Sequence, residues 1–427
     1  MEWIKLKEMR VSTQRVDYYF DASEPLKKWF LPDLHMFVQY DFAVQTIPAG
    51  ILIIPFLGNV MQIAWLTDAQ VFVDTIDKTF FESLPRLRDA YRKMYPNCPL
   101  NGEICVENLE DNSHATGANF AQMYTGGLDA TTTFVRHYQE KPILIQEYGF
   151  FDERFFIGED YASDEKSERN FASDAKAAKC FAEMHGAKTA FIRSNYGTFI
   201  KSTVLNKYYQ HLLGDDFWHG LHHAMALLSA AAPVCYKSKV KTLYIASSFS
   251  VGNTYPCASD PTTDNEFRFA GTCVCHDGYE LTDQDKARLA VAFQRKYGAS
   301  LPLRVCSWND HNCCSCEKCL RRILQINAEG GNPANFGFHF DSSVLDITER
   351  YLWKEIQFFT AKNIDKWGKI IQRMRDNYEN IYDKAVADFL FTYDFEKEKR
   401  RGLCRYYRTN FFSILKRKIK GLLTRGD

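Results

Sequence analysis

Apolar positions in the first part of the chain come in short runs. Residues 36–45, 51–56, 60–66 and 71–74 are rich in β-branched and aromatic side chains, which predicts strands. Residues 82–93 carry apolar positions at helical spacing ahead of Pro96 and predict a helix. The long apolar run 49–66 is interrupted by Pro55, Gly58, Asn59 and Gln62. Those breaks disfavour a membrane span and predict two buried strands joined by a Gly-Asn turn.

From residue 118 the pattern changes to strands alternating with helices, which predicts a parallel sheet. Strands are expected at 118–124, 142–148, 187–193, 242–247 and 303–306, with helices at 129–138, 164–184, 217–231 and 282–297. Residues 342–393 alternate apolar and charged positions at helical spacing, with Ile364, Trp367, Ile371, Met374, Tyr378, Ile381 and Tyr382 on one face. The expected architecture is an α/β, doubly wound parallel sheet over residues 113–338. It is preceded by an α+β module at 1–112 and followed by a helical region at 339–427.

Length and composition add bounds. A chain of 427 residues can bury a sizeable core, and 15% aromatic content argues against disorder. The formal net charge is zero, so no global attraction to nucleic acid is expected. Residues 1–7 lack the basic-then-apolar order of a signal peptide. Five of the thirteen cysteines crowd into 306–319, a distribution that suits a metal site in a reducing cytoplasm better than a disulfide framework.

The segment Gln122-Met-Tyr-Thr-Gly-Gly-Leu-Asp-Ala runs from an apolar strand through paired glycines into a helix. Such a turn makes an anion site, because glycine lets the backbone approach a ligand and the helix start offers unpaired N–H groups. Thr125, Thr131 and Thr132 add hydroxyls, and Asp129 can hold magnesium or cap the turn. A purely geometric need for the glycines is the competing reading. Neither a Gly-x-x-x-x-Gly-Lys-Ser/Thr nor a Gly-x-Gly-x-x-Gly motif occurs, which excludes the commonest nucleotide loops.

Ligands of a doubly wound sheet bind at the carboxyl ends of its strands. The loops after Tyr124, Tyr148, Arg193 and Ser247 are therefore expected around one pocket, with Ser248, Asp260, Asp264 and Arg268 near it. Those carboxylates either face substrate, with Asp264 the expected catalytic group alongside Asp129, or cap turns. His219 and His223 have helical i, i+4 spacing but lack the glutamate of a metalloprotease helix. A packing role is preferred for them and for His222.

Cys306-x6-Cys313-x2-Cys316-x2-Cys319 is the strongest local pattern. Four thiolates complete a closed tetrahedral zinc site of structural type, with Cys314 a bystander. An iron–sulfur cluster needs the same four sulfurs.

Thr125–Ala130 resembles the Ser-Gly-Gly-x-Asp-Ser loop of the N-type ATP pyrophosphatases, the PP-loop or adenine nucleotide α-hydrolase-like superfamily. Thr125 and Ala130 stand where that loop has serines. A pyrophosphate loop followed about 180 residues later by this cysteine spacing is similar to the cyano-deazaguanine synthase group. The run Asn312-Cys313-Cys314-Ser315-Cys316-Glu317-Lys318-Cys319-Leu320-Arg321 resembles Asn-Cys-Gly-x-Cys-x-Lys-Cys-x-Arg of members from bacterial surface-polysaccharide loci, with Cys314 in place of the glycine. Residues 218–227, 244–248, 259–265 and 276–286 are also similar to those members, apart from Asp260 where histidine is expected.

The resemblance implies cleavage of ATP to AMP and pyrophosphate with adenylation of a carboxylate or amide oxygen. A nitrogen nucleophile then displaces AMP. Thr125, Gly126, Gly127, Asp129 and Thr131 would bind phosphates and Mg2+, and Cys306, Cys313, Cys316 and Cys319 would bind Zn2+. The implied substrate is a carboxylated sugar or its nucleotide conjugate. A nucleotide-binding scaffold without turnover is the alternative.

From Arg400 the chain holds nine basic residues and one acidic one. Phe411, Phe412, Leu415, Ile419 and Leu422 recur at mostly three- or four-residue spacing among Lys416, Arg417, Lys418 and Lys420. The pattern is that of an amphipathic helix for an anionic membrane surface, with a solvated tail or a partner-docking helix as equal alternatives. The expected location is the cytoplasm, with peripheral membrane contact through this tail.

Overall fold

The computed structural model describes residues 1–113, 117, 119–149, 162–252, 255–306 and 311–423. Side chains are not described at 162–167 and 411–423. The chain divides into two compact units, 1–286 and 287–427.

The first unit is built on one sheet of eleven strands among the described residues. In chain order these are β1 (Trp3–Val11), β2 (Arg15–Ala22), β3 (His35–Tyr40), β4 (Gln70–Asp77), β5 (Glu103–Glu110) and β6 (Asn119–Met123). They continue with β7 (Ile143–Tyr148), β8 (Thr189–Ser194), β9 (Val240–Ala246), β10 (Arg268–Phe269) and β11 (Thr272–Asp277). Their order across the sheet is β10-β11-β9-β6-β7-β8-β3-β2-β1-β4-β5. The block β11-β9-β6-β7-β8 is parallel throughout. Counted along the chain, those five strands lie in the order 3-2-1-4-5 read from β8, the arrangement of a doubly wound sheet. The winding reverses between β6 and β9, which opens a crevice at their carboxyl ends.

No break in the sheet occurs at residue 112. β3 pairs antiparallel with β8 through Val38↔Ser194 and Tyr40↔Ile192, so the amino-terminal strands extend the same sheet. One hydrophobic core runs from Ile4 to Val274. The boundary expected near 112 is thus replaced by one after Lys286.

The two strands expected at 51–56 and 60–66 are instead helix, Ala49–Leu52 followed by Ile54–Thr67. All residues of the longer helix but Thr67 are buried, so its sequence shows no apolar stripe to betray a 3.6-residue period. Its polar side chains bond back into the helix, Asn59 Nδ2 donating to Pro55 O at 2.7 Å and Gln62 Nε2 to Gly58 O at 2.6 Å, while Gln62 Oε1 is buried without a partner. Gly58 is required by contact, since a Cβ there would stand 2.2 Å from Ser229 Cβ on the helix His223–Ala230.

The second unit is helical. Helices Glu317–Ala328 and Ala361–Asp376 pack around Trp367, Met374, Leu320 and Leu324. The apolar face expected there is largely realised, but Tyr382 is exposed. Arg373 clamps the buried Glu329 carboxylate through two hydrogen bonds of 2.8 and 2.7 Å. Residues 303–306 form no strand: Leu303 N bonds Phe336 O at 2.9 Å outside any sheet. The final helix runs Phe395–Leu423, with Arg405 over the Trp353 ring at 4.0 Å. The amphipathic face expected at Phe411, Phe412, Leu415, Ile419 and Leu422 lies outside the described side chains.

Candidate functional site

β6 delivers the chain to the glycine turn from the middle of the parallel block. Gln122 Nε2 donates to Ala130 O at 2.9 Å and ties the strand to the helix Leu128–Arg136. Gly126 takes φ +75°, the left-handed region that favours glycine. Gly127 is the N-cap at φ −68°, and a Cβ built on it meets only Thr125 Oγ1, at 3.5 Å. The turn is therefore open on the side of Gly127. The N–H groups of Leu128, Asp129 and Ala130 head the helix without intrahelical acceptors.

The hydroxyls divide by role. Thr125 is exposed at the turn. Thr131 is fully buried, its Oγ1 3.5 Å from Gly126 O, so it braces the loop from behind. Thr132 Oγ1 donates back to Leu128 O at 2.8 Å, and Thr133 Oγ1 to Asp277 Oδ2 at 2.9 Å. Burial pushes the Asp277 carboxyl up, but hydrogen bonding from His137 and the charge of Arg136 leave it below the ordinary carboxylate range.

Lys286 carries no role read from the sequence, yet it closes this site. Its Nζ lies 2.5 Å from Asp129 Oδ1 and 2.6 Å from Ser247 O. Ser247 follows β9, so one ammonium bridges the two strand ends that flank the crevice. The Lys286 side chain is only 3% exposed while Asp129 keeps 28%, so the carboxylate retains an open face. A sequence signal existed. Lys286 stands in the first turn of the helix Asp283–Tyr297, where the dipole disfavours a cation.

A cavity of about 310 Å³ adjoins the turn at the carboxyl ends of β6 and β7, lined by Tyr124, Thr125, Gln146, Glu147, Tyr148 and Phe171 among others. Burial pushes the Glu147 carboxyl well above its ordinary range, against a weak hydrogen bond from Tyr196 OH at 3.5 Å. Its Oε1 is sealed from solvent without a hydrogen-bond partner. The strand ends at Tyr124 and Tyr148 thus line one cavity, and the loop expected after Tyr148 lies outside the described residues.

The remaining polar candidates are elsewhere. Asp264 is sealed from solvent, accepting from Ser259 Oγ at 2.7 Å and lying 2.7 Å from His276 Nδ1. Burial drives its carboxyl up and His276 pulls it down, with burial prevailing. An open substrate-facing position for Asp264 is therefore corrected to an internal one. Asp260 caps the short helix Pro261–Asp264, and Arg268 is exposed on the edge strand β10. His222 bonds Asn59 Oδ1 at 2.6 Å inside the core, and burial lowers it to about 3 and His223 to about 4. Those two histidines pack, as preferred from sequence. His219 is exposed beside Asp216.

In the second unit Cys306, Cys313, Cys316 and Cys319 converge, with all four sulfurs within 4.8 Å of one another and Cys313 Sγ 4.0 Å from Cys319 Sγ. A zinc–sulfur bond of about 2.3 Å sets tetrahedral sulfurs about 3.8 Å apart, so the donor set fits one such ion. A multi-iron cluster, with each thiolate on its own iron, needs the sulfurs spread more widely. Asn312 shapes the loop: its Oδ1 accepts from Val305 N at 3.0 Å and its Nδ2 donates to Leu303 O at 2.8 Å. Cys314 takes φ +54°, a conformation suited to glycine, and its Sγ accepts from His339 N at 3.2 Å. Hydrogen bonding from Cys319 holds the Cys316 thiol well below its usual range, to about 5. All thirteen cysteines are free, and no described helix is long and apolar enough to cross a membrane. Compared with protein-family models, curated proteins and solved structures, the chain finds no match.

Proposed function

We propose that the chain is an ATP pyrophosphatase-type ligase. It adenylates a carboxylate or amide oxygen and passes the activated carbon to a nitrogen nucleophile. The observation that carries this reading is the open Gly126-Gly127 turn at the crevice between β6 and β9, with the Asp129–Lys286 pair beside it. Unpaired N–H groups and a buried ammonium favour a polyphosphate there. The adjoining cavity supports a nucleoside position, where the Glu147 carboxyl has an Oε1 with no hydrogen-bond partner. Thr125, Gly126 and Gly127 bind phosphate, Thr131 braces the turn, and the open face of Asp129 holds Mg2+.

In this reaction the substrate oxygen attacks the α-phosphorus of ATP. A new P–O bond forms as the bond to the bridging oxygen breaks, and pyrophosphate leaves with the electron pair. The nitrogen nucleophile adds to the activated carbon, loses its proton to solvent and expels AMP. The acceptor class we propose is a carboxylated sugar or its nucleotide conjugate, and the zinc set by the four cysteines serves folding. A nucleotide-binding scaffold is the second reading, favoured by Ala130 where the pyrophosphatase loop carries a hydroxyl.

The test incubates the protein with α-labelled ATP, magnesium, ammonia and pooled carboxylated sugar nucleotides. AMP with pyrophosphate supports the ligase. ADP would refute it, and retention of uncleaved ATP favours the scaffold.

A further inference from the structure

Far from the glycine turn, the first unit holds a larger cavity of about 710 Å³ at the amino-terminal ends of β1, β4 and β5. Five strand spacings, about 24 Å, separate β1 from β6 across the sheet. Arg88 and Arg92 enter it from the helix Lys78–Met94, one turn apart, and Glu2, Asp68 and Glu103 line its other walls. A second cavity of about 230 Å³ adjoins, bounded by Met61, Trp65, Phe81, Leu84 and Ile104, and shares Arg88, Gly102 and Glu103 with the first.

Arg88 stands where the two cavities meet. Its Nη1 donates to Asn101 O and Gly102 O, both at 3.1 Å, so the guanidinium is fixed by backbone carbonyls that carry no neutralising charge. Its Nη2 has no hydrogen-bond partner and no carboxylate pairs with the guanidinium among the described residues, while Nε is sealed from solvent behind it. A fixed guanidinium with an unused donor is a receptor for a planar anion. Arg92 differs, being engaged by Leu100 O, Asn101 Oδ1 and Asp89. Gly102 forms the floor, because a Cβ there would stand 2.1 Å from Ala64 O.

Three chemical requirements select the ligand. Arg88 calls for a carboxylate-like anion. Glu2, Asp68 and Glu103 disfavour a multiply charged anion such as phosphate and call for a cationic group. The apolar cavity calls for an aromatic or branched aliphatic group and is too small for a nucleotide. We propose that these joined cavities bind a free α-amino acid with a large apolar side chain. The carboxylate sits on Arg88, the ammonium among the acidic walls and the side chain against Trp65 and Ile104. The site is independent of the ligase reading.

The test is calorimetric titration of the full chain with L-phenylalanine and L-leucine. The comparison probes are 3-phenylpropanoate, which lacks the ammonium, phenethylamine, which lacks the carboxylate, and inorganic phosphate. One of the amino acids should saturate the protein below millimolar concentration, with every comparison probe about tenfold or more weaker. Arg88→Met should weaken it by a similar factor, while Asp129→Asn at the glycine turn should leave it unchanged. Ile104→Trp fills the apolar cavity and should exclude the amino acid even if Arg88→Met does not fold. Equal binding of phosphate or 3-phenylpropanoate, undiminished binding to Ile104→Trp, or no saturation by either amino acid would overturn the proposal.

Discussion

The glycine turn and the cysteine cluster are built on opposite principles. Cys306, Cys313, Cys316 and Cys319 supply four donors of one kind from fourteen consecutive positions, and the site is closed once they meet. The glycine turn supplies backbone, the Thr125 hydroxyl and one carboxylate. Its ammonium arrives from a residue 157 positions away and its second anchor from the end of another strand. A site whose chemistry is complete within one loop can be read from spacing. A site assembled where a sheet reverses its winding needs the fold before its members are known.

Loss of a cysteine ligand should break this contrast most severely. Structural zinc contributes on the order of 10 kcal/mol to folding of small zinc domains. Cys316→Ser should therefore yield insoluble protein or cooperative loss of the second unit, while Cys314→Ser keeps about one metal ion per chain by native mass spectrometry. Tight metal binding by Cys316→Ser would contradict the four-sulfur assignment.

At the glycine turn, Lys286→Met removes one partner of a pair whose ammonium is buried. The carboxylate left behind keeps an open face to water, so such a break costs about 1–3 kcal/mol. Denaturant titration should show that loss, and turnover should fall by about two orders of magnitude or more. Adding Asp129→Asn should recover part of the stability, because no unpaired charge remains, but none of the turnover. Additive stability losses would mean the two side chains act separately.

The response to pH sharpens the comparison by setting off groups buried in the first unit. His222 and His223 are held neutral to about 3 and 4, below the unfolded value of about 6.5. The unfolded chain thus binds more protons, and stability should fall as pH drops below about 6.5, by up to about 1.4 kcal/mol per unit for each ring. Glu147 has the opposite sign. Its carboxyl is raised, so the folded chain keeps a proton the unfolded chain has lost, and stability declines as pH rises above the ordinary glutamate range. Glu147→Gln should remove that decline and leave the loss from the two histidines unchanged in melts across pH. An unaltered decline would show that the carboxyl is solvated.

The smallest effect separates the paired glycines. Gly126→Ala forces a side chain into positive φ and should cost about 1 kcal/mol, whereas Gly127→Ala, at negative φ with room for a Cβ, should change stability by less than about 0.5 kcal/mol. Gly127→Ala still covers the open face of the turn, so nucleotide affinity should fall more than stability. Equal affinity in both variants would place the ligand elsewhere.

What the sequence disclosed follows the same division. The parallel strands from β6 to β9 were legible because each is a short apolar run followed by a polar or glycine-bearing turn. The helix Ile54–Thr67 was misread because total burial erases the periodicity on which recognition depends. β1 and β2 carry no continuous apolar run, and their strand signal is the alternation of Ile4 and Leu6 with Lys5 and Lys7, and of Val16, Tyr18 and Phe20 with Asp17, Tyr19 and Asp21. Asp264 was expected to face substrate, and nothing local announces that Ser259 and His276 enclose it. Cys314 is the converse case. Its position in a glycine pattern anticipated the left-handed backbone it adopts.

The antiparallel join between β3 and β8 has a consequence for synthesis. Phe37 N bonds Asn195 Oδ1 across 158 positions. A ribosome adding about 5–20 residues per second would take roughly 8–30 s to make that span. Throughout that interval the outer edge of β3 has no partner from this sheet, in a stretch as apolar as Met36-Phe37-Val38. Slow translation or early arrest before residue 194 should therefore expose the nascent chain to aggregation and chaperone capture, whereas arrest only after β8 has cleared the ribosome exit tunnel should relieve it.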